Sequence, residues 1–307
     1  MSGERERLKG LPEAIGAYTI WGFMPLFFKQ LQGISPVEIV AHRVVWSVLL
    51  ITAILWASRR LGEFTFALAD PRIRRYMIAS TSLIAANWLI YIWAITNEHI
   101  LAGSLGYYIN PLINVALGVV FFRERMNRTQ MVAIVLAAAG VLVLASESLA
   151  SIWISLSLAA SFGLYGMVRK MAPVGSLPGL ACETSLMLPF ALGYVLWAGV
   201  YDPTPGFGYS TLTDGYLIAG GAITTIPLLL FASAARKMPL STLGFIQFIG
   251  PTIQFVLGVF VYDEPFTRAH AICFALIWAA VALFCVDGIR RSREARLATV
   301  DDPAPAS

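Results

Sequence analysis

Long, uncharged apolar blocks follow one another along almost the whole chain, separated by short basic or Pro/Gly-rich segments. A helix rises 1.5 Å per residue, so each block can cross the roughly 30 Å hydrocarbon core of a bilayer. The clearest blocks are residues 76–96, 100–122, 129–146, 148–168, 215–235 and 238–262. Shorter or charge-bearing blocks are residues 11–28, 38–58, 178–201 and 269–286. The pattern predicts an all-α polytopic membrane protein with ten transmembrane helices.

The basic residues give an independent orientation, because Lys and Arg are retained on the cytoplasmic side of a membrane. With the N-terminus inside, the cytoplasmic segments hold all but three of the 22 basic residues. Lys29 and Arg268 lie on the outer side, and Arg43 lies within a span. The alternation holds at every loop, so both termini are predicted to be cytoplasmic.

Composition narrows the function classes. Hydrophobic residues make up 58% of the chain and charged residues 13%, with a mean hydropathy of +0.72, so no soluble domain is left over. The net charge of +4 comes from small clusters between apolar blocks, which does not indicate nucleic-acid binding. Cys182, Cys273 and Cys285 form no C-x-x-C pair. Phosphate-loop, zinc-protease and serine-elbow motifs are also absent, so no cofactor, metal or enzyme activity is expected.

An internal repeat is visible when the chain is shifted by 140 residues, which aligns residues 109–128 with 249–268. The most telling identities are Pro111/Pro251, Gly118/Gly258, Glu124/Glu264 and Arg128/Arg268. A weaker match aligns residues 21–29 with 162–170. The predicted division is a cytoplasmic N-terminus 1–10, a first five-helix repeat 11–146, a second repeat 147–288 and a disordered cytoplasmic tail 289–307.

Five is an odd number of spans, so the second repeat must enter the membrane from the opposite side. Inverted repeats recur in secondary transporters because they provide two equivalent conformations, one open to each face. The alternative is that duplication merely produced a stable bundle, since fold alone does not establish function.

Charged residues inside spans are costly, at about 2.5 to 3.5 kcal/mol each near the bilayer centre, and tend to mark cavities or pathways. Glu38 and His42 share one face of the second span, and Arg43 lies beside them. Arg43 could bind an anionic or zwitterionic substrate while Glu38 or His42 exchanges a proton. The alternative is an interfacial helix end, in which Arg43 extends to the headgroups or pairs with Glu38.

Polar residues on other spans extend the candidate site. Asn87 and Tyr91 share one stripe of the third span, where Asn87 either lines a cavity or joins helices; Trp88 either lines a pocket or packs. Matching faces of the fourth and ninth spans hold Ser104, Tyr107, Pro111, Asn114 and Gly118, and Gly244, Gln247, Pro251, Gln254 and Gly258. These faces either converge on a midplane site or pack through their small residues.

Glu183 is a candidate buried carboxylate, with an extension to the surface as its alternative. Glu124 and Glu264 each precede a tight turn, where capping is the ordinary role. The candidate substrate-binding residues are Glu38, His42, Arg43, Asn87, Tyr91, Tyr107, Asn110, Asn114, Glu183, Gln247 and Gln254.

Seven strings, in this order, resemble the RarD proteins of the drug/metabolite transporter superfamily, the EamA-type permeases. They are WGFMPLFFK, EIVAHRVVWS, NWLIYIWAI, SLGYYINPL, SFGLYGMVRK, GFIQFIGPT and VYDEP. The resemblance covers nearly all of residues 16–287. It implies ten spans in two inverted five-helix repeats and a bacterial inner-membrane permease, in a family named for an association with chloramphenicol sensitivity. Membership implies neither a substrate nor a set of binding residues.

The predicted function is therefore a secondary transporter that moves a small organic metabolite or drug by alternating access, driven by protons or by exchange. The alternatives are an uncoupled facilitator or channel, a membrane-embedded enzyme and a scaffold. Expected partners are the small-molecule substrate, protons as the candidate coupling ion and the lipid bilayer, with a homodimer left open.

Overall fold

The computed structural model describes residues 10–122, 128–146, 149–203, 205–208, 210–237 and 246–301. Helices joined by short turns account for nearly all of these residues, and none of the described segments is a strand. The α-helices are α1 Leu11–Phe28, α2 Pro36–Ala57, α3 Leu61–Ala69, α4 Pro71–Thr96, α5 Ile100–Phe122, α6 Arg128–Ala145, α7 Leu149–Met171, α8 Ser176–Tyr201, α9 Thr211–Lys237, α10 Ile249–Phe260 and α11 Arg268–Asp301.

The helices agree with the predicted membrane spans. In the described part of the chain, six helical segments are long and apolar enough to cross a bilayer. They are Pro36–Ala57, Pro71–Thr96, Ile152–Met171, Ser176–Tyr201, Thr211–Phe231 and Arg268–Asp287. The expectation of an all-helical, multi-pass membrane protein is confirmed, and every predicted span overlaps a helix. A total of ten spans and the domain boundaries stay predictions.

The segment between the second and third predicted spans holds more structure than the pattern indicated. A nine-residue helix, α3, occupies part of it, with Ala67 buried against Met77 and Cys182. The next helix begins at Pro71 rather than at residue 76, because Asp70 accepts hydrogen bonds from the first-turn amides. A hydropathy pattern misses α3 because so short a helix cannot cross a membrane.

Helices from the two halves of the chain pack against each other. Helix α1 lies along α9 and α10, α2 along α8 and α9, α4 along α7 and α8, α5 along α7 and α10, and α6 along α11. At Gly221 an added Cβ atom would lie 2.5 Å from the Cβ atom of Trp46, so the backbones of α2 and α9 meet directly. Gly106 similarly lets α5 approach the backbone oxygen of Ser155 on α7.

Candidate functional site

Arg43, the charged residue that the sequence places within the second span, is buried rather than extended to the surface. Its side chain on α2 is 3% exposed. Its Nε atom donates to the hydroxyl oxygen of Thr224 on α9 at 2.8 Å. Nη1 has no hydrogen-bond partner among the described residues, and none of their carboxylates lies within ion-pair distance. Arg43 is therefore an incompletely satisfied buried cation.

The packing around Arg43 explains how α2 and α9 accommodate it. A Cβ atom added to Gly220 would lie 3.1 Å from Arg43 Cγ, so the glycine leaves room for the arginine stem. The Thr224 hydroxyl donates to the Gly220 carbonyl at 2.7 Å, which leaves its lone pairs to accept from Arg43.

Two aromatic rings face the guanidinium from other helices. Its central carbon lies 5.1 Å from the ring centre of Phe28 on α1 and 4.7 Å from that of Trp88 on α4. Both distances fall within the range of cation–π attraction. These contacts stabilise the cation but supply no negative charge.

Tyrosine and glutamine side chains extend this cluster toward α5 and α10. Gln254 Nε2 donates to the Tyr91 hydroxyl and to the Trp21 carbonyl oxygen, each at 3.0 Å. Tyr91 packs edge-on against Phe28 and Tyr107, at centroid distances of 6.3 and 5.7 Å. Gln254 Oε1 is buried with no hydrogen-bond partner among the described residues. We call Arg43, Phe28, Trp88, Tyr91, Tyr107, Thr224 and Gln254 the arginine cluster.

The acidic and imidazole groups of α2 do not join the arginine cluster. Glu38 accepts a hydrogen bond from the Gly206 amide at 2.8 Å, and His42 stacks on Phe207 at 4.9 Å. Both contacts are with the connection between α8 and α9. The alternative pairing of Arg43 with Glu38 does not occur in the structure.

Asn87 joins two helices in this structure. Its Nδ2 atom donates to the Leu158 carbonyl at 3.1 Å and to the Ser161 hydroxyl at 3.0 Å, both on α7. Glu183 also lies apart from the arginine cluster. It is fully buried on α8 between α4 and α7.

The remaining candidates are Asn110, Gln247 and Asn114. Asn110 is 5% exposed, and its Oδ1 atom lacks a hydrogen-bond partner among the described residues. Gln247 is half-buried in the turn before α10. The side chain of Asn114 and residue Gly244 lie outside the described residues.

Glu264 takes the structural role expected of it. Its carboxylate accepts hydrogen bonds from the amides of Ile100 and Leu101, at 2.6 and 2.9 Å, and so caps α5 from the connection between α10 and α11. Burial raises the pKa of Glu264, while the two amide hydrogen bonds act in the opposite direction. Glu124 lies outside the described residues.

Three members of the arginine cluster, Phe28, Trp88 and Thr224, were not among the candidate substrate-binding residues, although pocket lining was one of the two roles considered for Trp88. Phe28 looks like one of many apolar residues in its span, and Thr224 like an ordinary helical threonine. Their roles depend on which helices pack beside α2, which a single sequence does not reveal.

A surface cleft of about 370 Å³ lies away from the arginine cluster, between α3 and the turn joining α7 to α8. Its walls include Glu63, Ala67, Ile73 and Pro178. Ala67 and Ile73 also pack against the buried residues that surround Glu183.

Comparison with known proteins identifies the family. Residues 8–146 match the EamA-like transporter family. A protein described as an uncharacterized transporter from Vibrio cholerae is 42% identical over 300 residues, covering 96% of this chain and 98% of that protein. Protein RarD from Streptomyces exfoliatus is 41% identical, covering 99% and 96%, and protein RarD from Escherichia coli K12 is 40% identical, covering 94% and 98%.

A solved crystal structure of a protein shares the fold, with a TM-score of 0.61, 18% identity and coverage of 90% of this chain and 97% of that one. Several membrane-length helices, the EamA match and relatives of nearly equal length agree with one another. The chain therefore belongs to the EamA-like transporter family, with RarD proteins among its relatives, and is a multi-pass membrane protein.

Proposed function

We propose that this protein is a secondary transporter of the bacterial inner membrane that moves a small organic molecule bearing an anionic group by alternating access. Protons or a second substrate would drive it. The observation that carries the proposal is Arg43, a buried guanidinium with an unpartnered Nη1 atom and no carboxylate partner among the described residues. Such a group is costly in a membrane interior, and an anionic substrate would offset that cost.

The chemistry of the arginine cluster favours a particular kind of substrate. A guanidinium can bind a carboxylate or phosphate with two parallel hydrogen bonds, which a lysine cannot do. Phe28 and Trp88 provide flat apolar surfaces beside it. The unpartnered Gln254 Oε1 could accept a hydrogen bond from a substrate N–H or O–H group. These groups suit a metabolite or drug that combines an acidic group, an apolar body and a donor.

Alternating access requires the two halves to be related, and the helix boundaries support that relation. Adding 140 to the first residues of α2, α4 and α6 gives 176, 211 and 268, which are the first residues of α8, α9 and α11. The same shift pairs α1 with α7 and α5 with α10. This correspondence favours ten spans in two five-helix repeats.

The packing also supports the two repeats. Each helix can be replaced by the helix that the 140-residue shift pairs with it. The contact of α1 with α9 then becomes that of α7 with α4, and the contact of α1 with α10 becomes that of α7 with α5. The contact of α2 with α9 becomes that of α8 with α4, and all six contacts occur in the structure. With an odd number of spans per repeat, the two halves would be inverted in the membrane, and both termini would lie in the cytoplasm.

The proposal can be tested on purified protein without knowing the substrate beforehand. A thermal-shift screen of organic acids, amino acids and antibiotics should identify compounds that raise the melting temperature, because a ligand stabilises the state that binds it. Compounds that stabilise the parent but not Arg43→Gln should then be taken up by proteoliposomes. If the compounds raise the melting temperatures of both proteins equally, and proteoliposomes of both proteins take them up equally, the arginine cluster is not the binding site.

The same proteoliposomes separate the remaining functions. Accumulation against a gradient that is lost with a protonophore or without a counter-substrate indicates coupled transport, whereas equilibration alone indicates a facilitator. Chemically altered product would indicate an enzyme, to which the names of the relatives do not point. No flux of any stabilising compound would contradict transport.

A further inference from the structure

A second charged cluster lies outside the arginine cluster, around Glu183 on α8. Glu183 is fully buried. One carboxylate oxygen accepts from the Ser80 hydroxyl on α4 at 2.7 Å, and the other from the Tyr165 hydroxyl on α7 at 3.2 Å. Arg169, also on α7, places Nε 3.5 Å from Glu183 Oε1. We call these four residues the carboxylate cluster, which joins α4, α7 and α8.

Arg169 connects the carboxylate cluster to the surface. Its side chain is 16% exposed, whereas that of Glu183 is 1% exposed. Its remaining nitrogens lie 3.5 Å from the sulfur of Met77 on α4 and from the Ser176 carbonyl oxygen at the start of α8. A side chain larger than hydrogen at Gly179 would collide with this guanidinium. Arg169 therefore lies across the ends of the three helices and covers Glu183.

Other ionisable groups near Glu183 are few among the described residues. Tyr165 and Arg169 face it from α7, Ser80 faces it from α4 without a titratable group, and Cys182 adjoins it on α8. Helices α2 and α3 also pack on α8, but the contacts of their ionisable groups lie elsewhere. Glu38 contacts Gly206, His42 stacks on Phe207, Arg43 contacts Thr224, and Glu63 pairs with Arg60.

A surface cleft lies close to the carboxylate cluster. The 370 Å³ cleft beside α3 is lined by Ala67 and Ile73, which belong to one packed group with Met77 and Cys182. Met77 contacts Arg169, and Cys182 precedes Glu183 in the chain. Side chains of this packed group therefore lie between the cleft and a carboxylate whose one ion-pair partner in the described part of the chain is Arg169.

We propose that Glu183 is a proton-binding site, and that its protonation releases Arg169 and loosens α7 from α4 and α8. A proton from the aqueous phase bonds to one carboxylate oxygen, the negative charge disappears, and Arg169 loses its ion-pair partner. The neutral acid keeps its contacts with Ser80 and Tyr165, while the arginine can turn toward the cleft. As the coupling step of a transporter this rests on the proposed function, whereas the proton binding itself does not.

Infrared difference spectroscopy of the full chain in detergent tests proton binding without any substrate. The parent should show the carbonyl stretch of a protonated carboxyl growing in as the pH falls, and Glu183→Gln should lack that component. Arg169→Gln should move its titration midpoint upward by about one pH unit or more, because a nearby positive charge favours the carboxylate. Glu264→Gln is the matched control, since it removes a buried carboxyl outside the carboxylate cluster and should retain the Glu183 signal.

The accessibility of the native Cys182 thiol measures whether α7 loosens from α4 and α8, because Cys182 is buried beside Glu183. In a chain with Cys273→Ala and Cys285→Ala, a water-soluble maleimide should label Cys182 several-fold faster in Glu183→Gln than in the parent at the same pH. Glu264→Gln should label at the parental rate.

Two results would overturn the inference. One is a Glu183→Gln spectrum that superimposes on the parent at every pH. The other is equal labelling of Cys182 in the two proteins. If Glu183→Gln does not fold, the parental pH series and the shift in Arg169→Gln still decide. A transporter that moves substrate but fails these tests would refute only the proton site, and a proton site without any flux would refute only the transport function.

Discussion

The arginine and carboxylate clusters occupy corresponding places in the two halves of the molecule. Arg43 and Glu183 are 140 residues apart, the offset of the internal repeat, and each lies seven residues after the first residue of its helix. Yet Glu183 has hydrogen bonds and an ion pair, whereas Arg43 has a buried, unpartnered nitrogen and no carboxylate partner among the described residues. Equivalent positions in the two repeats thus hold opposite charges, and only the carboxylate has an oppositely charged partner among the described residues.

The helices beside the two charged residues, α4 beside Glu183 and α9 beside Arg43, also differ at one equivalent position. Ser80 on α4 donates a hydrogen bond to Glu183, and its counterpart 140 residues later on α9 is Gly220, which makes room for Arg43. Glu183 therefore receives a side-chain hydrogen bond from the neighbouring helix, whereas Gly220 at the corresponding place on α9 gives Arg43 room for its stem but no side-chain hydrogen bond. We infer that the carboxylate cluster responds to protons and that the arginine cluster binds the organic substrate.

The largest effect is expected on substrate binding when the positive charge of Arg43 is removed. Arg43→Gln should weaken binding of an anionic substrate by about 2 to 5 kcal/mol, because a buried charged contact is lost. Proteoliposome flux should fall to background while membrane insertion is unchanged. Arg43→Lys keeps the positive charge but loses the planar guanidinium, so its flux should lie between those of the parent and Arg43→Gln. Parental flux in Arg43→Gln would show that the arginine cluster does not bind the substrate.

A smaller effect is expected on the free energy of unfolding without substrate, and it should be confined to the carboxylate cluster. Arg169→Gln should lower the free energy of unfolding by about 2 to 3 kcal/mol, because Glu183 loses its counter-ion; protonation of Glu183 limits the loss. The double variant Arg169→Gln with Glu183→Gln should recover most of it. Arg43→Gln should unfold no earlier than the parent. Thermal unfolding in detergent measures all four proteins, and a large loss in Arg43→Gln would contradict the comparison.

The smallest effect is expected at Asn87, which lies outside both clusters. Asn87→Ala should cost about 1 kcal/mol of stability through its lost bonds to α7 and leave substrate affinity near the parental value. Ser161→Ala is the matched partner for a double-mutant cycle in thermal unfolding. A Kd for the substrate that rises tenfold in Asn87→Ala would return Asn87 to the binding site.

Hydropathy predicted where the long helices lie because a bilayer imposes one strong constraint on every span. It missed α3, which is not a span, and it began α4 five residues late because the cap at Asp70 lies in a charged segment. These errors concern connections, where local hydrogen bonds rather than hydrophobicity determine the structure.

The candidate site was predictable only in part. Arg43 stood out because a charge within an apolar block is rare, and Tyr91, Tyr107 and Gln254 followed from helical periodicity. Periodicity could not separate Glu38 and His42 from Arg43, because the three residues lie within six positions on one helix. Their separation depends on the connection between α8 and α9, which approaches only the first two.

The contact between Gly221 and Trp46 has a consequence for movement. No layer of side chains separates α2 from α9 there, and Ser47 donates to the Gly221 carbonyl at 3.2 Å. We expect these helices to rotate together as one rigid pair, because sliding would force backbone atoms into each other. Thr224 would then remain beside Arg43 in both inward- and outward-facing forms, and the rings contributed by α1 and α4 would be the surfaces that separate when the substrate leaves.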